Sequence, residues 1–339
     1  MGSGSGAAGI SVLAVTNIFP NPRSPSSGTF VERQVAGLRG AGITVEVLFV
    51  DRETEGMASY RRAGARVKAA VSGGRHDLVH SMYGGVLADV ATRAAGIPSV
   101  VSFCGSDLMG AQRSGLVSRA TAAYGVRASH RAARRASGVI VKSAGLGDAL
   151  PGDVDRTKVS IIPNGVDFER FRPLPGQGCR SRLGWGEEEF HVVFHDRGDP
   201  DKRLELAGAA CDELGRRAVP VSLHLMRNLV HDEVALWLNA ADVLLLTSLH
   251  EGSPNTVKEA LACDRAVVAT DVGDVRERLH DIDGCWVAGA DAVDLADKLA
   301  TVHRRPRPRT VAGREAMAGL SLEAVAQRML DFYAGILDA

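Results

Sequence analysis

The sequence has few of the features that mark secreted or membrane-spanning proteins. Its five cysteines are scattered, without a CxxC spacing or a secreted disulfide pattern, which favours a reducing cytosol. No apolar run approaches the roughly 20 residues that a membrane helix needs. The amino terminus also lacks a basic region followed by an apolar core. We therefore expect a cytoplasmic protein, and neither export nor membrane spanning.

Charge and metal-binding patterns are equally sparse. The 40 Lys and Arg residues balance the 40 Asp and Glu residues, which argues against a general electrostatic grip on nucleic acid. The ten histidines form neither an HExxH motif nor a Cys/His cluster, so we expect no metal ion. Gly4, Gly6 and Gly9 satisfy a GxGxxG pattern, but they precede the first predicted strand, whereas a dinucleotide site needs glycines that follow one. No cofactor is expected.

One predicted helix of the first half carries Arg127, Arg131, Arg134 and Arg135. A solvated helix face is the plainer interpretation of these charges. The functional alternative is contact with an anionic membrane, at its inner face, or with a phosphorylated acceptor.

The sequence does contain a long alternation of short β-branched runs and amphipathic segments, the pattern of parallel βα units. A length of 339 residues favours two domains. The predicted strands of the first domain are residues 11–15, 45–50, 78–81, 99–103, 138–141 and 159–162. Its predicted helices include residues 29–39, 86–95 and 116–136. Residues 1–9, MGSGSGAAG, are expected to form a flexible tail.

The alternation breaks near Pro163, where PNGVDFERFRPLPGQG has the composition of a connector. A second series follows, with strands at 191–195, 221–225, 243–247, 266–270 and 285–287 and helices at 202–216 and 233–240. The last amphipathic segment, 322–337, either caps the second domain or crosses back to the first. We predict an α/β protein with domains at 10–163 and 164–321, in which the segment 322–339 can join the first.

The segment 244–277 reads as strand, acidic loop, helix, strand and glycine loop. A buried-type strand precedes a polar turn that runs from Glu251 to Asn255 and opens a helix, and Glu259 follows one helical turn later. We expect Glu251 and Glu259 to face one cleft at the carboxyl end of the strand. Backbone amides at that helix start suit an anion. The alternative is that both carboxylates merely suit the helix dipole.

The order Glu, Gly, small residue, Pro, then a second Glu eight positions after the first resembles the donor motif of family 4 retaining glycosyltransferases. The resemblance covers nearly the whole chain, through HEGSPNTVKEALACDRAVVATDVGD, IIPNGVDFERF, LNAADVLLLTS, DLVHSMYGG and VVSFCGSDL. It implies the GT-B fold, with two facing Rossmann-like domains, parallel sheets and a cleft between them. The first domain would then bind the acceptor, and the second the nucleotide-sugar donor.

The resemblance also implies roles for the residues of the acidic segment. Glu259 would hold the ribose hydroxyls of a nucleotide, and Glu251 would orient the sugar. The turn and the helix start would hold the sugar and the diphosphate, through Gly252, Ser253, Pro254, Asn255 and Thr256.

Two cations in HDRGDPDKRLELA, Arg197 and Lys202, follow a predicted strand, where they are placed to clamp a diphosphate. Solvated loop charges are the plain alternative, and Arg203 is a substitute for Arg197. The family usually has an Arg and a Lys at a similar spacing here. Gly28, in NPRSPSSGTFVERQ, either lets the backbone approach a donor phosphate or only starts a helix.

His80, Cys104 and Asp107 fall at predicted strand ends of the first domain, so we expect them to face the cleft on the acceptor side. Many relatives have a histidine in the place of Cys104, and this departure puts a histidine-based role in doubt. The thiol is expected to pack as a small hydrophobe. Asp107 is either a catalytic or sugar-binding acceptor or a turn-capping residue.

Together these features predict an enzyme that moves a sugar from a nucleotide diphosphate to a small-molecule or lipid-linked acceptor, with UDP favoured over GDP or ADP. Retention is implied by the resemblance. Lys202, Arg197 and the helix start would neutralise the leaving group, as a metal does elsewhere. Two other functions stay open: a sugar-nucleotide epimerase on the same fold, and a catalytically silent protein that binds sugar nucleotides.

Overall fold

The computed structural model describes residues 9–24, 27–56, 58–110 and 115–339. The chain divides into two compact units, one formed by Met1–Gly165 with Leu322–Ala339 and the other by Val166–Ser321. The division after the first unit lies close to the boundary predicted at residue 163. The tail predicted at residues 1–9 lies, except for Gly9, outside the described residues.

The first unit is built on a parallel sheet. Its strands are β1 (Ser11–Thr16), β2 (Thr44–Phe49), β3 (Leu78–Ser81), β4 (Ser99–Phe103), β5 (Gly138–Val141) and β6 (Val159–Ile161). They pair in the order β2-β1-β3-β4-β5-β6. The four inner strands are almost completely buried and the two edge strands less so, as expected when helices cover both faces of a parallel sheet.

The helices of this unit connect successive strands. They are α1 (Thr29–Gly40), α2 (Arg52–Glu55), α3 (Ala58–Val71), α4 (Gly85–Ala94), α5 (Ser106–Met109), α6 (Leu116–Arg135) and α7 (Ala144–Asp148). In α1 the buried residues are Val31, Gln34, Val35 and Leu38, whose spacing of three or four places them on one helix face. Local periodicity therefore explains why these segments are helical and which face they bury.

The second unit repeats this plan. Its strands are β7 (Phe190–His195), β8 (Val221–Met226), β9 (Val243–Leu246), β10 (Ala266–Thr270) and β11 (Trp286–Ala288), all parallel. Its helices are α8 (Gly176–Leu183), α9 (Leu204–Arg216), α10 (His231–Ala240), α11 (Asn255–Ala262), α12 (Val275–Leu279), α13 (Ala292–His303) and α14 (Gly313–Ala316). A short 3-10 turn, Pro200–Lys202, precedes α9, so this helix begins two residues after the predicted start at 202.

Both sheets reverse their strand order at one place. The first chain connection of each sheet runs to one side and the later ones to the other, so that β1 lies between β2 and β3, and β7 lies between β8 and β9. Open α/β sheets bind ligands outside the carboxyl ends of the strands at such a switch point. In the second unit this directs attention to the loops after β7 and β9.

The last helix, α15 (Leu322–Leu337), packs within the first unit. Its Tyr333 is completely buried. Gly138 in β5 leaves room for this helix, because a Cβ atom at that position would lie 2.4 Å from Ile336 Cδ1. Of the two positions that the sequence leaves open for this segment, the structure therefore has the one that crosses back.

Candidate functional site

Lys202 and Glu251 meet at the switch point of the second sheet. The Lys202 amine, on the loop after β7, donates a hydrogen bond to Glu251 Oε1, on the loop after β9. Glu251 Oε1 also accepts a hydrogen bond of 2.8 Å from the Ser248 hydroxyl. The two charged side chains stay partly accessible, at 19% and 17% exposure. Two residues predicted as donor ligands thus lie together where sheets of this kind bind ligands.

Arg203 holds the same two loops at a fixed spacing. Its guanidinium donates to the carbonyl oxygens of Thr247 at 2.6 Å and of Ser248 at 3.0 Å. In return the Thr247 hydroxyl donates to the Lys202 carbonyl oxygen at 2.7 Å. Because Nε and Nη2 of its guanidinium are committed to these carbonyls, Arg203 braces the loops, and its role as a substitute for Arg197 stays a prediction.

Arg197 is an exposed cation on the loop after β7, the loop that also carries Lys202. It makes no hydrogen bond or ion pair with any residue that the structure describes. Its buried neighbour Asp196 accepts the Gly198 amide at 2.8 Å and Arg227 Nε at 2.5 Å. The Gly198 hydrogen bond, reinforced by Arg227, lowers the pKa of Asp196. Asp196 therefore holds this loop through the Gly198 amide and Arg227, while the side chain of Arg197 is exposed to solvent.

The start of α11 is the positive end of a helix without a side-chain cap. Pro254 occupies the N-cap position, and no side chain there accepts a hydrogen bond from the helix. Gly252, Ser253 and Pro254 are buried, whereas Asn255 is half-buried. An uncapped helix start with a nearby cation suits a phosphate.

The hydroxyl groups at this helix start already have partners. The Ser253 hydroxyl donates to Asp274 Oδ2 at 2.8 Å, and the Thr256 hydroxyl lies 3.2 Å from His195 Nδ1. Backbone groups of the turn, more than its hydroxyls, are therefore left to meet a ligand. Sequence reasoning missed His195, although it ends β7 and so lies at the ligand edge of the sheet.

A glycine loop after β10 supports the turn. Gly273 has φ +59°, and a Cβ atom there would lie 2.5 Å from the carbonyl oxygen of Gly252. Next to it, Asp274 Oδ2 accepts hydrogen bonds of 2.8 Å from Ser253 and from Arg278 Nε. Sequence reasoning did not single out Asp274. Its position after a predicted strand, on the same edge as Glu251, was the available signal.

Glu259 is more enclosed than Glu251. It is 6% exposed, in a helix whose residues from Thr256 to Ala262 are all buried. That Glu251 and Glu259 bind the same ligand stays a prediction.

His80 lies inside the first sheet. Its side chain is 0% exposed, with Nδ1 2.6 Å from the Tyr333 hydroxyl and Nε2 2.8 Å from the Ser102 hydroxyl. Burial, together with the charge of Lys142, lowers the pKa of His80 to about 3, so the ring is neutral near pH 7. The prediction that His80 faces a ligand cleft is wrong, because both ring nitrogens join β3 to α15 and β4.

Asp107 organises the loop after β4. Its carboxylate accepts backbone N–H groups from Gly84 at 2.9 Å, Cys104 at 3.0 Å and Gly105 at 2.8 Å. Burial raises the pKa of Asp107, against the effect of these hydrogen bonds. These hydrogen bonds agree with the turn-capping alternative, in which Asp107 supports the loop. Cys104 is half-buried in that loop, and its acceptor-side role stays a prediction.

Lys142 is a buried cation that sequence reasoning missed. It follows β5 directly and is 1% exposed, and its amine has no hydrogen-bond partner among the described residues. Burial lowers its pKa, while Cys104 and Asp107 act in the opposite direction. A lysine directly after an apolar strand was the signal in the sequence.

Gly28 is required by packing at the start of α1. It is the N-cap residue with φ 68°, and a Cβ atom there would lie 2.4 Å from the carbonyl carbon and oxygen of Ile18. The helix-start interpretation of Gly28 thus has a steric basis. Its contact with a donor phosphate stays a prediction.

The described residues contain neither a metal-binding cluster nor a membrane-spanning helix. Within them, no group of three or more His, Cys, Asp or Glu side chains is placed to hold a metal ion. No helix in the same part of the chain combines the length and the apolar character needed to cross a membrane. All five cysteines are free, and four of them are buried.

Two family models match successive parts of the chain. A model described as "Glycosyl transferase 4-like domain" matches residues 3–165, and one described as "Glycosyl transferases group 1" matches residues 185–305. The chain belongs to family 4 of the glycosyltransferases. The loops that carry Lys202 and Glu251 lie within the second matched segment.

Curated relatives of this chain include several proteins named D-inositol 3-phosphate glycosyltransferase. The one from Pseudarthrobacter chlorophenolicus is 30% identical over 215 residues, which are 55% of this chain and 51% of the relative. The one from Thermomonospora curvata is 26% identical over 325 residues, 80% of this chain and 74% of the relative. The chain spans about half the length of the first of these relatives.

Solved structures show the fold. Sucrose-phosphate synthase from Thermosynechococcus elongatus has a TM-score of 0.80 at 17% identity, over 97% of this chain and 99% of that one. Anabaena HepE, solved with UDP and glucose, has a TM-score of 0.69 at 17% identity, over 94% of this chain and 98% of that one. The predicted GT-B fold class, with two Rossmann-like parallel sheets, is confirmed.

Proposed function

We propose that this protein is an enzyme that moves a sugar from a UDP-sugar to a hydroxyl group of a small-molecule or lipid-linked acceptor, with retention at the anomeric carbon and without a metal ion. The observation that carries the proposal is the contact between Lys202 and Glu251 at the switch point of the second sheet, beside the uncapped start of α11. The choice of UDP is supported by HepE, which was solved with UDP-glucose and with UDP and glucose.

The chemical task in such a transfer is to stabilise a departing diphosphate. The Lys202 ammonium and the helix start of α11 supply positive charge that is already in place before the bond breaks, which is the efficient way to stabilise a developing charge. Arg197, which is exposed on the loop after β7, adds a third positive group when it turns toward the phosphates. Together these groups do the work that a metal ion does in other transferases.

Glu251 has two successive roles in this proposal. Without a ligand it neutralises Lys202. A diphosphate competes for the Lys202 amine, and Glu251 is then released to accept hydrogen bonds from sugar hydroxyls. Glu259, four residues into the same helix as the phosphate site, holds the ribose. The acceptor hydroxyl passes its proton to the leaving phosphate on the same face of the sugar.

Release of nucleotide tests the substrate class. The purified protein is incubated with UDP-glucose, UDP-N-acetylglucosamine, GDP-mannose or ADP-glucose, with and without D-inositol 3-phosphate, the acceptor named in its curated relatives. We expect turnover with a UDP-sugar that persists in EDTA, and an anomeric configuration in the product, read by NMR, equal to that of the donor. Sugar interconversion without an acceptor would indicate an epimerase, and an inverted product would refute retention.

Matched variants test the site. Lys202→Met should lower kcat/KM by about 10²–10³, the usual effect of removing one group that stabilises a developing charge. Glu251→Gln should lower it by about 10–10², the effect of weakening hydrogen bonds to a charged group. Lys298→Met, on α13 of the same unit, is the control and should stay within about twofold, since its amine lies 3.8 Å from a partly exposed Asp294 on the helix surface. An unchanged kcat/KM in Lys202→Met would remove the basis of the proposal.

A further inference from the structure

Residues 117–127 of α6 form a helical segment without a buried face. From residue 117 to residue 127 no side chain is buried, whereas Ala128, Ser129, Ala132 and Ala133 in the second half are. Ion pairs from Arg131 and Arg135 to Asp89 of α4 fasten only that second half. An isolated helical segment of this length is marginal in water. The surface of another molecule would stabilise this exposed segment by covering it.

Apolar side chains lie in the middle of the exposed segment. Val117 is 78% exposed and Tyr124 is 50% exposed, and their spacing of seven residues places them on one side of the helix, with Ala120 between them. Met109, at the end of the neighbouring α5, is 47% exposed. Half of the six large apolar side chains that are exposed in the described chain are therefore concentrated at this place.

The exposed half of α6 carries unpaired positive charge, with Arg127 beside the apolar stripe and Arg119 on the other flank of the helix. Arg119 and Arg127 are exposed, and their guanidinium groups form no hydrogen bond or ion pair with the described residues. The sequence of α6 contains no Asp or Glu. By contrast Arg131, Arg134 and Arg135, which the sequence also singles out, are paired with Asp89 or Asp153. The structure thus shifts the free positive charge toward the amino-terminal half of the helix.

We propose that the α6 surface, formed by Val117, Ala120, Tyr124 and Arg127 with Arg119 on its flank, docks peripherally on an anionic lipid surface. Val and Tyr enter the boundary between headgroups and acyl chains, where the amphipathic ring of Tyr is favoured. The two guanidinium groups meet lipid phosphates. A second copy of the chain fits less well, because a two-fold contact through this surface would oppose Arg to Arg.

Vesicle sedimentation tests the proposal without any need for catalysis. The full chain is mixed with vesicles of phosphatidylglycerol and phosphatidylcholine, or of phosphatidylcholine alone, at about 0.1 M salt. We expect binding to the anionic vesicles only, and a loss of about 25-fold in the double variant R119Q/R127Q, since each Arg contributes about fivefold. V117S/Y124S should also weaken binding. R61Q/R66Q, which removes two exposed arginines from α3, is the control and should bind as the wild type does.

Three results would overturn the proposal. The first is that the wild type does not sediment with anionic vesicles. The second is that R119Q/R127Q binds these vesicles as well as the wild type does. The third is that the R61Q/R66Q control loses as much binding as R119Q/R127Q. Concentration-dependent dimerisation that V117S/Y124S abolishes, seen by light scattering, would assign the surface to a second copy instead. Unchanged thermal unfolding of the variants shows that lost binding is not lost folding, because all six replaced side chains are exposed.

Discussion

A methyl group added at Gly273 tests whether the glycine loop after β10 positions the turn before α11. A Cβ atom at this position would lie 2.5 Å from the carbonyl oxygen of Gly252 and 2.9 Å from its carbonyl carbon. These are backbone atoms, which cannot swing aside as the end of a long side chain can. Gly273→Ala must therefore displace one of the two loops, and the loop of Gly252 is part of the proposed donor site.

The expected cost has two parts. A residue with a Cβ atom in the left-handed region, where Gly273 has φ +59°, loses roughly 1–2 kcal/mol. Overpacking against a fixed neighbour adds roughly 1–3 kcal/mol. The free energy of unfolding of Gly273→Ala should thus fall by roughly 2–5 kcal/mol. Gly184→Ala is the matched control, because Gly184 belongs to the same unit, has φ +70° and has nothing within 4 Å of its Cβ position, so it should show only the first part.

Urea denaturation followed by tryptophan fluorescence is the assay. All three tryptophans, Trp185, Trp237 and Trp286, lie in the second unit, so the signal reports on the unit that carries both glycines. Gly273→Ala should also raise KM for the UDP-sugar, whereas Gly184→Ala should not. Equal losses of stability in the two variants, with equal KM values, would refute the inference that the Gly273 loop fixes the turn.

Three further outcomes follow from the geometry. Ser253→Ala and Asp274→Ala should each raise KM for the donor about three- to tenfold, and the double variant should be no worse than one single variant, because both remove the same 2.8 Å hydrogen bond. Because burial lowers the pKa of His80 from 6.5 to about 3, the folded protein keeps this ring neutral. The free energy of unfolding is therefore highest above pH 6.5 and falls as pH drops toward about 3. The loss is roughly 2 kcal/mol between pH 6.5 and pH 5, and urea denaturation of His80→Gln should show a flatter pH dependence than the wild type. Lys142→Met should raise the free energy of unfolding by roughly 1–3 kcal/mol, because it removes a buried amine without a partner. Burial lowers the pKa of Lys142, so its cost appears as pH falls below 10.5, and the gain should be larger at pH 7 than at pH 10.

Much of the fold was readable from local pattern. The predicted strands at 78–81, 99–103, 138–141 and 266–270 coincide with β3, β4, β5 and β10. Runs of β-branched residues that alternate with amphipathic segments leave little choice but parallel strands with helices on both faces. Loops after strands then meet at one edge of the sheet, which is why Lys202 and Glu251, 49 residues apart, could be predicted as neighbours.

The partners of individual polar side chains were not readable in this way. His80 and Lys202 both belong to segments at the carboxyl side of a sheet, yet one is completely buried and the other is partly accessible. The difference arises because Tyr333 of α15, more than 250 positions away in the chain, returns to cover the His80 ring. A pattern of nearest neighbours in sequence contains no information about which distant helix closes over a strand.

The amino-acid sequence by itself determined the two βα series, the position of the acidic turn and the family, because apolar period and turn chemistry act over a few residues. Only the tertiary structure decided which charges are free and which are committed. It placed Arg203 against carbonyl groups and Asp107 against amides, and it left Arg119 and Arg127 in solvent. Whether a polar group keeps its water or finds a protein partner depends on atoms brought together from distant parts of the chain.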